Sequence, residues 1–436
     1  MVMKCRKNVI LMVVGVIFIF SSFSLGFASE KQLILMTRVG PENDAIKTVI
    51  PEYEKLTGIK IKVDETGKEG FYDRQTTRLM TGSELDVAFY MSDYGALYAA
   101  SKLLTPLSPF INRTDLKSDD TDIRDFFAGT LNTFKYKGVI YGLPTDVSTW
   151  LMNYNTKYIK NAPETYDEYL ELAKKFSKRY NPNSPTTFGT CIQAKVGSES
   201  PVCEWLQVFW AMGGELFDKN NKPIFNSQAG IKSLTYMADL YLKWHVVPDD
   251  TPAVDAAAAQ AAYQQENAAF IERWNSDTVV FRNPDQSPKV SSNLGVALIP
   301  GVKQPNGKIN RVPITHGWAL GIPSSSKNKE EAFKFIQWIT GKYAGEKYFM
   351  AGGTPARRSI LFNHANAKFR PELPLLGQTL ELARPKPAIK EWPQISSILQ
   401  QAHSSVFIGD KTPKQALNDA AVKINDLMKK AGYYQK

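Results

Sequence analysis

Eight tryptophans and nineteen tyrosines are the main chemical resource of this 436-residue chain. An indole face packs on the apolar C–H face of a pyranose ring, while carboxylates, amides and guanidinium groups take the hydroxyls. Trp205, Trp210, Trp244 and Trp338 lie on helical patterns and are assigned to the core. Trp274 and Trp318 differ, since each stands at the end of a strand pattern beside small or polar residues. Groups for bond-breaking chemistry are missing from the sequence pattern: there is no GxxxxGK[ST] loop, no HExxH and no GxSxG elbow. The four histidines, at 245, 316, 364 and 403, show no metal-ligand spacing, and no cofactor or metal is implied. Ser198 and Ser200 flank Glu199 in a Gly/Ser stretch that reads as a solvated loop. Carboxylate pairs of the glycosidase type depend on tertiary geometry and stay open.

The elements that must position these groups alternate. Leu33 to Met36 is a short apolar strand, and Ile46, Val49, Ile50 and Tyr53 then mark one helix face, with Pro51 expected to kink it and Gly58 to close it. Ile59, Ile61 and Val63 alternate as a strand; a helix over Phe71–Met80, a strand over Leu85–Tyr90 and a helix around Ala96–Leu103 follow. This order predicts an α/β domain with a largely parallel sheet. Ligands of such sheets bind beyond the carboxyl ends of the strands. Two loops are selected on that ground: Arg38 to Glu42, and Met91 to Tyr94 with Asp93 in it. A second α/β stretch starts at Trp150–Tyr154, with helices at about 165–180, 203–212, 229–244 and 253–262 and strands at Ala268–Ile271 and Gly295–Ile299. Trp318–Ile322 is a further strand, an amphipathic helix spans about Lys329–Thr340, and the last hundred residues read as mainly helical.

Residues 1–28 have the parts of a cleaved secretory signal: Lys4, Arg6 and Lys7, an apolar run from Val9 to Phe20, and Gly26-Phe27-Ala28. The run is shorter than the roughly 20 residues that a span needs. Removing the leader lowers the net charge of +10 by three, and the chain holds no block of like charges that would bind nucleic acid. The expected compartment is a periplasm. There, Cys191 and Cys203 are expected to form a disulfide, worth about 3 kcal/mol in the chain-entropy model, with two buried thiols as the alternative.

Five stretches in order resemble the family 1 extracellular solute-binding proteins, relatives of maltose-binding protein that serve sugar ABC importers. Asp86-Val87-Ala88 with Ser101 to Leu107 is similar to "DVV … GLL-PLD", with Lys102 where the family usually has glycine. Tyr141-Gly142-Leu143-Pro144 and Leu151 to Asn155 resemble "YGLP … LYYN", and Thr165 to Tyr169 resembles "TWDEF". Gly317 to Pro323 is similar to "GGW-LAIP", and Gly353 to Ser359 to "G-LPARKS".

The resemblance implies two α/β lobes of the periplasmic-binding-protein fold, joined by a hinge crossed three times. The crossings are expected near Leu143–Thr145, Leu298–Pro300 and Gly352–Pro355, so that 29–143 with 300–352 form one lobe and 145–299 with 356–436 the other. It also implies that ligand is gripped by hinge closure and released unchanged, so the chain is no enzyme. Position in the motifs and strand-end loops assigns the sugar site to Glu42, Asp93, Asp146 and Ser148 as acceptors, Trp274 and Trp318 as stacking faces, Gly317 as nearby backbone, and Arg357 as a forked donor. His316 abuts that site. The implied partners are a sugar, permease subunits in the inner membrane and a separate ATPase, with the chain itself a monomer. A glycerol-phosphate ester held by Arg38, Arg357 and Arg358, a secreted carbohydrate-active enzyme, and a receptor feeding a sensor kinase remain as alternatives.

Overall fold

The computed structural model describes residues 31–67, 70–116 and 122–434; the signal-peptide expectation lies outside them. Strand β1 (Gln32–Arg38) pairs in parallel with β2 (Lys60–Thr66) and β3 (Val87–Met91). The helix Pro41–Thr57 between β1 and β2 starts with proline, whose missing N–H costs nothing there. It runs on through the exposed Pro51 and stops at Gly58, whose left-handed backbone donates its N–H to Glu54 O. Lys102, standing where glycine is usual, is also left-handed with φ 56°, a conformation that costs an L-residue about 1 kcal/mol.

Beyond β3 the sheet becomes mixed. β4 (Leu143–Asn155), β5 (Phe270–Trp274), β6 (Leu294–Ala297), β7 (Ile314–Gly321) and the two-residue β8 (Arg384–Pro385) complete it. The order is β2-β1-β3-β7-β4-β5, with β8 on β7 and β6 on β4, and β7 runs antiparallel to both β3 and β4. The parallel expectation therefore holds for β1–β3, and outside them only the short β8 runs parallel to its neighbour, β7. The physical reason is that β7 brings the chain back from the other lobe and must enter the sheet in the opposite sense.

Two large apolar cores divide the chain. One contains Leu35, Phe89, Leu143, Val147, Trp318, Leu320, Phe333, Ile360 and Leu376; the other contains Trp150, Met152, Trp205, Phe270, Ile299, Ile314, Trp392 and Ile424. The chain passes from one core to the other inside β4, inside β7, and between Leu380 and Trp392. These passages fall later than the expected crossings. Residues 300–314 pack with the second core and 356–380 with the first, the reverse of the lobe boundaries read from sequence. Gly301 bridges to Thr165 within the second lobe and Gly352 turns the chain within the first, whereas two continuous strands carry the chain across.

Cys191 and Cys203 are free, buried thiols, which corrects the disulfide expectation. Cys203 packs inside the second lobe's core on the helix Ser200–Ala211, while Cys191 belongs to a satellite cluster with Val254, Ala259 and Phe281. Burial pushes the Cys191 thiol up to about 12, so it is protonated and inert at neutral pH. Alkylation of the denatured protein without reductant should modify both cysteines; recovery of a 191–203 linked peptide would reverse this assignment.

Candidate functional site

A cleft of about 500 Å³ opens where the carboxyl ends of β1 and β3 face the second lobe. Arg38 ends β1, Glu42 lies in the first turn of the next helix and Met91 ends β3, so one wall comes from the strand ends that the parallel arrangement favours. The opposite wall comes from Glu199, Ser200, Gln260, Arg273, Trp274 and Asp277, and Ser148 of β4 and His316 of β7 line it between the lobes.

Of the residues chosen from sequence, Glu42, Ser148, Trp274 and Trp318 line this cleft. Trp318 does so without a free face. Phe89 stacks on one side, with centroids 4.7 Å apart and planes 6° apart, and the Arg38 guanidinium lies 4.4 Å over the ring. Trp274 is half-buried, its Nε1 donating to Ser200 Oγ at 3.3 Å and His316 lying 4.3 Å away at a 30° tilt. Trp274 is thus the partly open aromatic platform of the cleft.

The other four chosen residues are placed elsewhere. Arg357 is 1% exposed, donates to Thr340 O and, at 3.1 Å, to Asp122 O, pairs with Asp125, and packs 4.3 Å over Phe126. It ties the first lobe's loops together. Asp146 accepts from Tyr348 Oη at 2.8 Å and from the Thr354 backbone N–H at 2.7 Å. Burial and the nearby Glu42 charge push its carboxyl up to about 8. Gly317 lies between β4 and β7, where a Cβ would come within 2.5 Å of Asp146 O, so its role is close strand approach. Asp93 points below the cleft: Lys386 Nζ lies 2.5 Å from its carboxylate, and Trp392 Nε1 donates to it at 3.2 Å.

Sequence reasoning did not place Glu199, Arg273, Asp277 or Gln260 in the cleft lining, nor Lys386 against Glu199 outside it. Glu199 immediately precedes the helix Ser200–Ala211 without a side-chain capping bond, and Pro201 just inside that helix was the available signal for a helix start rather than a loop. Arg273 and Asp277 pair at 2.5 Å at i,i+4 spacing. Lys386, between two prolines, carries no sequence signal.

Asp93, Glu199 and His316 bring ligand atoms within 4.8 Å of one another, a spacing a cation could use. The Lys386 ammonium donates to both carboxylates and already supplies that positive charge. Burial would raise Glu199, but Lys386 outweighs it and holds the carboxyl below its usual range. Burial, with the Lys386 charge, drives His316 down to about 3, so the ring is neutral and presents one donor and one acceptor nitrogen.

Two α/β lobes, three passages between them and a cleft walled by both define a two-lobe binding protein. The family model described as bacterial extracellular solute-binding protein matches residues 40–346, and the chain belongs to that family. A probable amino-acid ABC transporter periplasmic-binding protein of Sinorhizobium fredii is 25% identical over 426 residues, covering 93% of this chain and 91% of the relative. Maltose-bound MalE3 of T. maritima superposes with a TM-score of 0.78 at 23% identity, covering 91% of this chain and 99% of that one. A solute-binding protein of Thermotoga lettingae bound with alpha-D-tagatose gives 0.77 at 25% identity, covering 91% and 100%.

Proposed function

We propose that the cleft binds a sugar (a disaccharide, a short oligosaccharide or a sugar alcohol) and that lobe closure delivers it to the permease of an ABC importer, driven by a separate ATPase. The observation that carries this reading is the cleft itself: about 500 Å³, walled by both lobes, with one half-open indole and a ring of donors and acceptors. The relatives bound to maltose and tagatose support a sugar, and the family's extracellular members support a periplasmic location for a monomeric receptor. Ligand touching both walls shifts the lobes toward closure by its differential affinity for that state.

The ligand leaves unchanged. Glu42 lies 4.0 Å from Arg38, Asp277 pairs with Arg273, and Glu199 is held ionised by Lys386. The cleft carboxylates are therefore matched to cations, whereas a glycosidase acid must keep its proton near neutrality. Asp146, whose carboxyl burial and the Glu42 charge push up to about 8, sits outside the cleft lining.

A thermal-shift screen of sugars, sugar alcohols, amino acids and inorganic phosphate tests the assignment. A ligand at a hundred times its Kd stabilises the fold by about 2.7 kcal/mol. A sugar or sugar alcohol should raise the melting temperature and be recovered intact. Competition by phosphate would favour an ester, and a response to amino acids alone would favour the Sinorhizobium relative's class. Once the sugar is known, Trp274→Ala should weaken it by about 2 kcal/mol, roughly thirtyfold in Kd by calorimetric titration. Unchanged affinity would remove Trp274 from the contact.

A further inference from the structure

Lys386 occupies a position that the binding reading does not use. It follows β8 on the third passage between the lobes and is 7% exposed. Its ammonium lies 2.5 and 2.6 Å from the two oxygens of Asp93 and also donates to Glu199. Asp93 stands in the first turn of the helix Ser92–Ala100, beside the first lobe's core, and Glu199 stands at the N-cap position of the helix Ser200–Ala211 of the second lobe. One side chain on the connecting segment thus holds a carboxylate from each lobe, and each carboxylate sits at a helix N-terminus that favours negative charge.

The neighbours reinforce the arrangement. Trp392 Nε1 donates to the same Asp93 oxygen at 3.2 Å, anchoring it to the helix Trp392–Phe407 of the second lobe. His316 Nδ1 lies 3.5 Å from Glu199, so Glu199 faces both the cleft and the ion cluster.

We propose that Lys386 is a strap that joins the lobes through Asp93 and Glu199, holds the cleft partly shut before ligand enters, and positions Glu199 as an acceptor toward it. No ligand atom is needed to complete these contacts. Parting the lobes pulls one carboxylate from the ammonium, and a buried charge that loses its partner is strongly unfavourable. The strap raises affinity by raising the population of the binding-competent state, because apparent Kd scales inversely with that population.

The affinity arm rests on the sugar-binding reading; the shape arm does not. Small-angle scattering of the ligand-free protein should show a larger radius of gyration for Lys386→Met and Asp93→Asn than for wild type, with Lys386→Arg close to wild type. Melting curves verify that each variant is folded. If Lys386→Met fails to fold, Asp93→Asn decides, since it leaves the Lys386–Glu199 pair charge-balanced. With sugar, Lys386→Met should bind about tenfold more weakly and Lys386→Arg should recover most of the loss. Folded Asp93→Asn and Lys386→Met proteins whose ligand-free scattering superposes on wild type would overturn the strap. Failure of every sugar to bind would leave the scattering result standing and sink the binding reading alone.

Discussion

Trp318→Ala should cost about 3–5 kcal/mol of stability in denaturant titration, the range for truncating a buried large aromatic. The indole is 3% exposed and forms the middle of a stack. Phe89 lies parallel on one face, Tyr72 lies 6.5 Å away at 11°, and the Arg38 guanidinium covers the other face. Removing it opens a cavity in the first lobe's core and withdraws the surface on which Arg38 rests. The arginine, whose Nε is buried without a hydrogen-bond partner, would lose its fixed place in the cleft wall. Binding should therefore fall as a consequence of the packing loss, in contrast to Trp274→Ala, where affinity should fall with little change in stability. A Trp318→Ala protein within about 1 kcal/mol of wild type would show that the stack is not a structural plank.

Stability should also fall as pH rises from about 4.5 to 8, and the second lobe's core gives the reason. Glu204 is buried on the helix Ser200–Ala211, accepts from the Gln193 backbone N–H at 3.1 Å, and is pushed by burial up to about 8. Glu272 of β5, buried with it, is held well above its usual range by burial and by Glu204. Below about pH 4.5 both folded and unfolded chains carry these protons, and the difference vanishes. As pH rises, the unfolded chain releases them first while the folded chain retains them, so the unfolded state gains and stability drops until the folded carboxyl also ionises. For Glu204 alone, a rise from 4.5 to about 8 corresponds to an upper limit of roughly 5 kcal/mol. Denaturation midpoints should therefore be higher at pH 5 than at pH 8, and Glu204→Gln should flatten the slope. Equal wild-type midpoints at the two pH values would count against buried, protonated acids.

Much of the fold was legible in local pattern. The helix Pro41–Thr57 was marked by Ile46, Val49, Ile50 and Tyr53 and by its closing Gly58; the start of the helix Tyr166–Lys175 by the Thr165–Tyr169 stretch, in which Thr165 and Glu168 form a reciprocal cap in the structure. Such signals act over a single turn and survive in sequence. The lobe boundaries did not, because β4 and β7 read as ordinary strands and nothing local shows that one strand serves two cores. Nor did the fates of Asp146 and Arg357. A carboxylate beside the "YGLP" motif and an arginine in the "PARKS" motif look alike whether they face a ligand or, as here, Tyr348 and Thr340.

Amino-acid order alone determined the alternation of strand and helix, the strand-end loops carrying Arg38 and Glu42, and the family resemblance, because periodicity, caps and turns are written within a few residues. Tertiary structure decided which indole stays open, which cysteines remain apart, and that Lys386 meets Asp93 and Glu199. Those contacts join residues up to 293 positions apart. Chain connectivity does not encode such distances; they arise only when two cores close around shared strands.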